Sequence, residues 1–279
     1  MTGAIASFSS MAVAGRELGG DFDTFEIMFY RSIVGILIVA LVLTATGKWG
    51  QVSTRALGSH LMRNAAHFTG QNLWFFAVTV IPLAQVFALE FTSPLWVIVL
   101  SPLLLGERLT RVGVFAVTLG FIGILIVARP SPASLSPGII AAASSAIFFA
   151  LTMILTKRLT RRESTGSILL WLTLMQAVLG LVAAGYDGDI RLPTMQAAPL
   201  LVLIGLAGLL AHFCITNALS IAPATVVVPF DFARLPTIAV VGMLLYAEPL
   251  DTWVFVGAAC IFVAIYSNIL SETRRIRVA

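Results

Sequence analysis

Charged residues are scarce in this chain: they make up 11% of its 279 residues, while 59% are apolar and the mean hydropathy is +1.00. A soluble domain of this length needs a charged surface, and about a quarter of its residues usually supply it. The scarcity therefore excludes a soluble globular protein. Cysteine is also rare. Cys214 and Cys260 both lie inside apolar runs, without the spacing of a metal site or a disulfide framework, which indicates packing residues.

Several catalytic and energy-coupling motifs are absent as well. There is no HExxH, no GxSxG and no Cys/His cluster, so an integral-membrane enzyme is the weaker of the two main function classes. No GxxxxGK[ST] sequence is present, so we do not expect ATP to drive the protein, and we expect neither a cofactor nor a metal. Charged residues within the apolar runs are single rather than arranged as rings of like charge, which disfavours a channel.

What the chain does have is apolar runs of roughly 20 residues, each long enough to cross a bilayer of about 30 Å as a helix. These runs are too long, and alternate too weakly, for barrel strands, so the sequence predicts an all-α integral membrane protein. Loop signals divide it into ten predicted transmembrane helices, at residues 2–18, 23–46, 61–81, 83–105, 110–129, 136–157, 166–185, 197–219, 223–245 and 250–271.

Basic residues predict the orientation. With the N-terminus in the cytoplasm, eleven Lys and Arg residues fall in inside loops and the C-terminal tail, and three fall in outside loops. This positive-inside bias predicts that both termini are cytoplasmic, and we expect the membrane to be the bacterial inner (cytoplasmic) membrane. It also accounts for the net charge of +4 without nucleic acid as a partner. The first fifteen residues lack a basic leader and are interpreted as part of the first span.

The two halves of the chain resemble one another. When Pro223 is aligned with Pro82 and the alignment continues without a gap, Asp231 falls on Glu90 and LLYAEPL (244–250) falls on LLLGERL (103–109). We call this the repeat alignment. A second match, in a different register, sets GAIASFSS (3–10) over GIIAAASS (138–145). Because each half holds five spans, an odd number, the second half must be inverted. We therefore predict two inverted five-helix repeats, at 1–131 and 132–279, as in many secondary transporters.

Three segments resemble the EamA-type branch of the drug/metabolite transporter superfamily: FYRSIVG (29–35), PLAQVFALEFTSPLWVIVLSPLLLGERLTRVGVFAVTLGFIGILIV (82–127) and ALSIAPATVVVPFDFARLPTIAVVGMLLYAEPLDTWVFVGAACIFVAIY (218–266). The likeness lies in the order of arginine, proline hairpin, acidic loop and glycine-bearing span, and it covers nearly the whole chain. The resemblance implies ten helices, transport of a small solute, and a central cavity lined by predicted spans 1, 3, 4, 6, 8 and 9.

Ionisable residues inside the spans are candidate site residues, because a charge near the bilayer centre costs at least about 2.5 kcal/mol. The repeat-related acids Glu90 and Asp231 are candidates for binding a cationic group or a proton. The alternative is that a fixed arginine neutralises each of them. Arg234 follows Asp231 by three residues, so the two can pair within one helix, and such a pair could serve only to lower the cost of insertion. Glu107 and Glu248 lie at interfacial turns, where helix-terminus or loop roles are favoured over solute binding.

Arg31, in the second span, is a candidate for gripping a carboxylate or phosphate at two points. The alternative is an ion pair with Glu26 or with Glu90. Polar residues also share one face of the third span, and a weaker polar stripe on the eighth span includes His212. Such stripes either line a cavity or hydrogen-bond between helices. The residues of the third span are Asn64, His67, Gln71 and Trp74.

These features together predict a secondary active transporter. Its solute is expected to be a small amino-acid-like or otherwise amphoteric metabolite, because the candidate site holds both signs of charge and aromatic residues. We expect alternating access by rocking of the two halves, with Glu90 or Asp231 as the candidate proton site and His67 and His212 as a candidate relay. The expected partners are the solute and the lipid bilayer.

Overall fold

The computed structural model describes residues 2–104, 110–129, 136–186, 188–221 and 234–278, with side chains except at residues 101, 128, 236 and 272–278. These residues form α-helices, one short 3-10 helix at Lys48–Gln51 and no strand, which confirms the all-α expectation. The α-helices are α1 (Thr2–Leu18), α2 (Thr24–Ala45), α3 (Leu57–Val80), α4 (Leu83–Glu90), α5 (Ser93–Leu104), α6 (Arg111–Ala128), α7 (Pro137–Leu159), α8 (Thr165–Ala184), α9 (Ala198–Ile221), α10 (Arg234–Tyr246) and α11 (Thr252–Val278).

Polar caps determine where several helices begin. At the start of α2, Asp23 Oδ1 accepts a hydrogen bond from the Glu26 amide (2.8 Å), and Glu26 Oε2 accepts one from the Asp23 amide (2.9 Å). This is a capping box. The hydroxyls of Thr110, Ser136 and Ser164 likewise accept from amides in the first turns of α6, α7 and α8. Amides without an intrahelical partner are therefore satisfied at these ends.

The outer surface of the helices is apolar. Leu37 and Leu41 of α2 are 65% and 69% exposed, as suits side chains that face lipid. Within the described residues, Arg111–Val127 and Thr237–Tyr246 are shorter apolar helices. In the described part of the chain, six segments are both long and apolar enough to cross a membrane: Thr24–Ala45, Leu83–Leu100, Pro137–Leu159, Thr165–Ala184, Ala198–Ile221 and Thr252–Ser271.

The predicted spans follow these helices closely, with two departures. The third helix begins at Leu57 rather than at residue 61, so Arg63 lies well inside it. The fourth span is not continuous, because Phe91 and Thr92 separate α4 from α5. Pro94 has no amide proton, and its ring clashes with the carbonyl four residues earlier, which accounts for the interruption of the helix at this point. Of the ninth predicted span, residues 223–233 lie outside the described residues.

Helices from the two halves pack against each other rather than forming two separate bundles. Helix α3 packs on α7 and α1 packs on α9, while α2 packs on α8, α4 on α10 and α6 on α11. The α6–α11 pair approaches closely at Gly123 and Gly257, where a Cβ added to either glycine would lie 2.6 Å from the carbonyl oxygen of the other. Such small residues let membrane helices come close together.

Candidate functional site

A cavity of about 50 Å³ lies at the centre of the helices. Its wall comes from α1, α3, α7, α9, α10 and the broken α4–α5 segment, the same helices that the family resemblance implied. Pockets for small molecules usually measure about 300–1,000 Å³, so in this conformation the cavity has room for water but not for a metabolite. Its lining residues are Phe8, Met11, His67, Gln71, Trp74, Glu90, Phe91, Ser93, Pro94, Phe149, Thr152, Met153, His212, Ile215 and Arg234.

Glu90 is an acidic residue of the cavity wall, and it forms an ion pair there. Its Oε1 accepts a hydrogen bond from Arg234 Nη2 at 2.8 Å, and its Oε2 accepts one from Trp74 Nε1 at 2.7 Å. Glu90 is 9% exposed and Arg234 is 2% exposed, so the pair is desolvated. Removing one partner of a buried pair usually destabilises a protein strongly, because the remaining charge is left without compensation. The pair therefore joins α4 to α10 across the two halves of the chain.

Aromatic rings surround the Arg234 guanidinium. Its Cζ lies 4.6 Å from the centroid of the Phe8 ring, 5.1 Å from that of Phe87 and 5.4 Å from that of Phe91. A cation within about 6 Å of an aromatic face is attracted by the ring quadrupole. These rings fix the guanidinium from several sides, so Arg234 is held by both an acid and an aromatic cage.

Two histidines from different halves meet at another part of the wall. His67 Nε2 lies 2.9 Å from His212 Nε2, and both rings are buried. Only one proton fits between the two nitrogens, so one ring donates and the other accepts. Next to them, the buried Nε2 of Gln71 has no hydrogen-bond partner in the part of the chain that the structure describes. A buried donor of this kind is available to a solute that enters the cavity.

Arg63 lies directly behind the histidine pair. The side chain is 2% exposed, and its Nε donates to Thr156 Oγ1 at 3.1 Å while Nη1 donates to Asn64 Oδ1 at 2.9 Å. Its Nη2 lies 3.5 Å from His212 Nδ1. Sequence reasoning left Arg63 out of the site because it placed the residue at the edge of a span. Its position one helical turn before His67, on the same face as the polar stripe, was the signal that could have found it.

Arg31 does not form either of the ion pairs considered from the sequence. The Glu26 carboxylate instead accepts hydrogen bonds from the Asp23 amide, as part of the capping box, and from the Arg191 amide at 2.6 Å, and Glu90 pairs with Arg234. The Arg31 side chain is 6% exposed and packs against Gly208 of α9, where an added Cβ would lie 2.8 Å from Nη2. Arg31 therefore belongs to the α2–α9 interface, outside the central cavity.

Six of the nine residues predicted from the sequence come together around the cavity: His67, Gln71, Trp74, Glu90, His212 and Arg234. Asn64 and Arg31 lie outside its wall. Asn64 Nδ2 donates to the carbonyl of Trp171 at 3.3 Å, and Gln176 Nε2 donates to the Asn64 carbonyl at 2.8 Å, so this residue connects α3 to α8. Asp231 lies outside the described residues, and the expected Asp231–Arg234 pair is therefore not part of this description.

A second ion pair closes one end of the helices. Arg16, in the last turn of α1, pairs with Glu248, which follows α10, and it also donates to the carbonyls of Val78 and Ile81. Glu248 Oε2 accepts a hydrogen bond from the Leu83 amide at 2.9 Å, so Glu248 also has the helix-terminus role expected for it. The contact joins the ends of α1, α3, α4 and α10. Sequence reasoning did not connect Arg16 with Glu248.

Helices that are apolar outside and polar at one buried centre define a polytopic membrane protein with an internal polar cavity, the class to which solute carriers belong. The chain belongs to the EamA-like transporter family, whose model matches residues 1–129 and again residues 136–270. This confirms the family resemblance seen in the sequence. The protein is a transporter and not an enzyme.

Relatives that are named for different transported compounds align with nearly the whole chain. A riboflavin transporter of Brucella anthropi is 31% identical over 267 residues, 94% of each chain. An S-adenosylmethionine uptake transporter of Rickettsia bellii is 25% identical over 97% of this chain and 92% of its own. The pseudopaline exporter CntI of Pseudomonas aeruginosa is 28% identical over 96% and 93%. One solved crystal structure, 18% identical, shares the fold with a TM-score of 0.71 over 98% of this chain and 96% of its own.

Proposed function

We propose that this protein is a secondary active transporter that moves a small amphoteric metabolite across the bacterial inner membrane by alternating access. In this proposal the chain crosses the membrane ten times as two inverted five-helix repeats, at 1–131 and 132–279, with both termini in the cytoplasm. The solute binds in the central cavity.

The observation that carries the proposal is the composition of the cavity wall. Ten of its residues form five pairs whose members coincide in the repeat alignment. One helix of each half therefore supplies each pair, as expected when a site lies on the axis between two repeats. The pairs are Phe8 with Phe149, Met11 with Thr152, Gln71 with His212, Trp74 with Ile215, and Ser93 with Arg234.

The packing of the helices agrees with the same relation. In the repeat alignment, α1 corresponds to α7 and α3 corresponds to α9. If each helix is replaced by its counterpart, the α3–α7 contact becomes the α1–α9 contact. The α2–α8 and α6–α11 contacts each convert into themselves. A contact pattern that survives this exchange supports a twofold relation between the halves. The family model also matches each half separately.

Cations at corresponding positions bind corresponding carbonyls. Arg16 of α1 donates to the carbonyl of Val78, and Lys157 of α7 donates to that of Leu219 at 2.7 Å. The two donors coincide in the repeat alignment, and so do the two acceptors. The first helices therefore follow this alignment, which supports it over the second register, in which residue 3 falls on residue 138.

Alternating access requires one end of the cavity to be closed while the other opens. The Arg16–Glu248 pair ties four helix ends together at the end of the molecule that the charge distribution predicts to be outside. Opening this end would separate a cation of the first half from an acid of the second, which is the motion expected when the halves rock. The cavity of about 50 Å³ corresponds to a closed form of this cycle.

Transport by the purified protein in proteoliposomes is the decisive test. Solute counterflow is measured with riboflavin, S-adenosylmethionine and a set of amino acids, with and without a proton gradient. Counterflow reports exchange whichever direction the carrier works in. We expect saturable exchange of at least one amphoteric compound, and loss of that exchange in Glu90→Gln and Asp231→Asn. Asp21→Asn is the matched control, because Asp21 is an exposed acid in the loop between α1 and α2.

Insertion and folding of each variant are checked by gel filtration and circular dichroism. Absence of saturable exchange for every compound, with correctly folded wild-type protein, would overturn the transport proposal. Unchanged exchange in both Glu90→Gln and Asp231→Asn would instead agree with transport but show that the two acids are not part of the solute-binding site. Dependence of exchange on the proton gradient, lost in one acid variant only, would identify the coupling residue.

A further inference from the structure

Arg31 and Arg63 differ from the buried Arg234 because no carboxylate in the described part of the chain pairs with them. Ion pairs within the described residues are Arg16–Glu248, Arg129–Asp251 and Arg234–Glu90. Arg31, 6% exposed, has the thioether of Met28 as its polar contact, with Nη1 3.6 Å from Sδ. Thioether sulfur is a weak acceptor, so the guanidinium keeps most of its donors for another partner.

The polar contacts of Arg63 are neutral as well. Its donors meet the hydroxyl of Thr156, the amide oxygen of Asn64 and a ring nitrogen of His212. Arginine can only donate, so His212 accepts through an unprotonated Nδ1 and its ring is neutral; all three partners are therefore uncharged. Arg63 therefore adds a second buried positive charge that no acid among the described residues contacts.

Helix α9 brings the two arginines together. Arg31 packs on Gly208, and Arg63 approaches His212, which lies four residues further along α9 and therefore one turn away on the same face. Gly208 has no side chain, and this allows the Arg31 guanidinium to lie against the helix backbone. The same region contains a cavity of about 10 Å³ lined by Arg31, Ser32, Thr173 and Gln176. This space is large enough for about one water molecule.

Two like charges buried close together are unfavourable in a membrane protein, and such residues are usually functional. An anion between them would relieve the cost. We propose that Arg31 and Arg63 bind an oxyanion of the transported solute, a carboxylate or a phosphate, while the other end of the solute occupies the Glu90–Arg234 side of the central cavity. This proposal rests on the proposed transport function and names the class of solute.

The His67–His212 contact separates these arginines from the cavity. Arg63 is next to His212 on one side, and both histidines line the cavity on the other. Separation of α3 from α9 at this contact would expose the guanidinium groups to the cavity. A planar guanidinium binds carboxylate or phosphate oxygens at two points, so the arginines are suited to both oxyanions.

Matched pairs of solutes test the proposal in the counterflow assay. L-methionine is compared with L-methioninamide, and riboflavin 5′-phosphate with riboflavin, because each partner lacks only the anionic group. We expect the anionic member of at least one pair to exchange with an affinity at least about tenfold higher than its partner. The first pair reports a carboxylate and the second a phosphate.

Three variants assign the effect to the arginines. Arg31→Met should remove the preference for the anionic member, Arg31→Lys should restore part of it, and Gly208→Ala should weaken it by displacing the guanidinium without changing charge. Without solute, the melting temperature of Arg31→Met should equal or exceed that of the wild type, because an uncompensated charge has been removed. An arginine with a purely structural role would lower the melting temperature and leave the preference intact.

Several results would overturn the assignment. Equal exchange of both members of each pair, or exchange only of solutes without an oxyanion, would show that the arginines do not select the solute while transport itself stands. Thermal stabilisation by chloride alone, lost in Arg31→Met and without any preference among solutes, would identify a resident inorganic counter-ion instead. Failure of every solute to exchange would contradict the transport proposal rather than this one.

Discussion

At most described positions of the cavity wall, the two halves of the chain carry different side chains at corresponding places. Of the five related pairs, only Phe8 and Phe149 are identical. The first half supplies the acid Glu90 and its indole donor Trp74, whereas the second supplies the cation Arg234. A rocking mechanism needs equivalent helices on both sides, but a solute with distinct ends needs different side chains. The arrangement of helices is therefore repeated in both halves, whereas the side chains that face the solute differ between them.

Replacing a residue of one wall with its counterpart from the other tests this division directly. Arg234→Ser, which copies Ser93, should have the largest effect. It leaves Glu90 buried without its cation, which typically costs about 3–5 kcal/mol of folding stability, and exchange should fall to background. Thermal unfolding and counterflow measure the two effects. Adding Glu90→Gln to Arg234→Ser should recover stability without recovering exchange. Wild-type exchange by Arg234→Ser would contradict the role of the pair.

Trp74→Phe should have the next largest effect. It keeps a large aromatic ring but removes the Nε1–H that donates to Glu90 Oε2 at 2.7 Å. A hydrogen bond to a charged group contributes about 1.5–3 kcal/mol to stability, so the free energy of unfolding should fall by a similar amount, and the affinity for solute should fall because Glu90 is less firmly positioned. Trp74→Ile, which copies Ile215, should lose at least as much. If Trp74→Phe keeps the wild-type affinity, the indole serves only to fill space.

His212→Gln, which copies Gln71, should have an intermediate effect. Glutamine can still donate or accept a hydrogen bond, but it cannot reproduce the 2.9 Å contact between two imidazole Nε2 atoms. We expect a fall of about 1 kcal/mol in the free energy of unfolding and a several-fold loss of affinity. Chemical denaturation and counterflow are the measurements. The reciprocal change Gln71→His keeps both histidines and removes no hydrogen bond among the described residues, so it should cost less stability.

Thr152→Met, which copies Met11, should have the smallest effect. The Thr152 hydroxyl donates to the Phe148 carbonyl of its own helix, so the bond that is lost lies within α7 rather than between helices. The longer side chain should narrow the cavity and raise the half-saturation concentration about two- to threefold, more for bulky solutes than for small ones. Competition by amino acids of graded size measures this trend. An equal effect on all sizes would indicate a change outside the cavity.

The sequence predicted the class of protein and six of the fifteen residues of the cavity wall, because few polar residues occur in the spans and they recur at helical spacing. His67, Gln71 and Trp74 follow one face of α3, and this local pattern survives in the structure. Arg63 was missed because α3 begins at Leu57, and loop signals did not predict that start.

Contacts across the halves could not be predicted from local spacing. From the sequence, Asp231 could pair with Arg234 because the two are three residues apart, and this prediction falls outside the described residues. The contact of Arg234 with Glu90 comes from a helix of the other half. It depends on how α4 packs on α10, which no local pattern encodes. The break between α4 and α5 was more accessible, because Pro94 lies next to it in the sequence.

The close approach of Gly123 and Gly257 has a consequence for how such a chain could have arisen. In the repeat alignment, Gly123 corresponds to Ala264 and Gly257 to Ala116, and both alanines are fully buried. All four positions are small, so the last helix of each repeat presents the same kind of face to the other, as in the self-complementary interface of a homodimer. Neither helix lines the described cavity. A gene duplication joining two copies of a single-repeat ancestor would have kept this close contact between small residues. The residues of the cavity wall would have diverged to fit the solute.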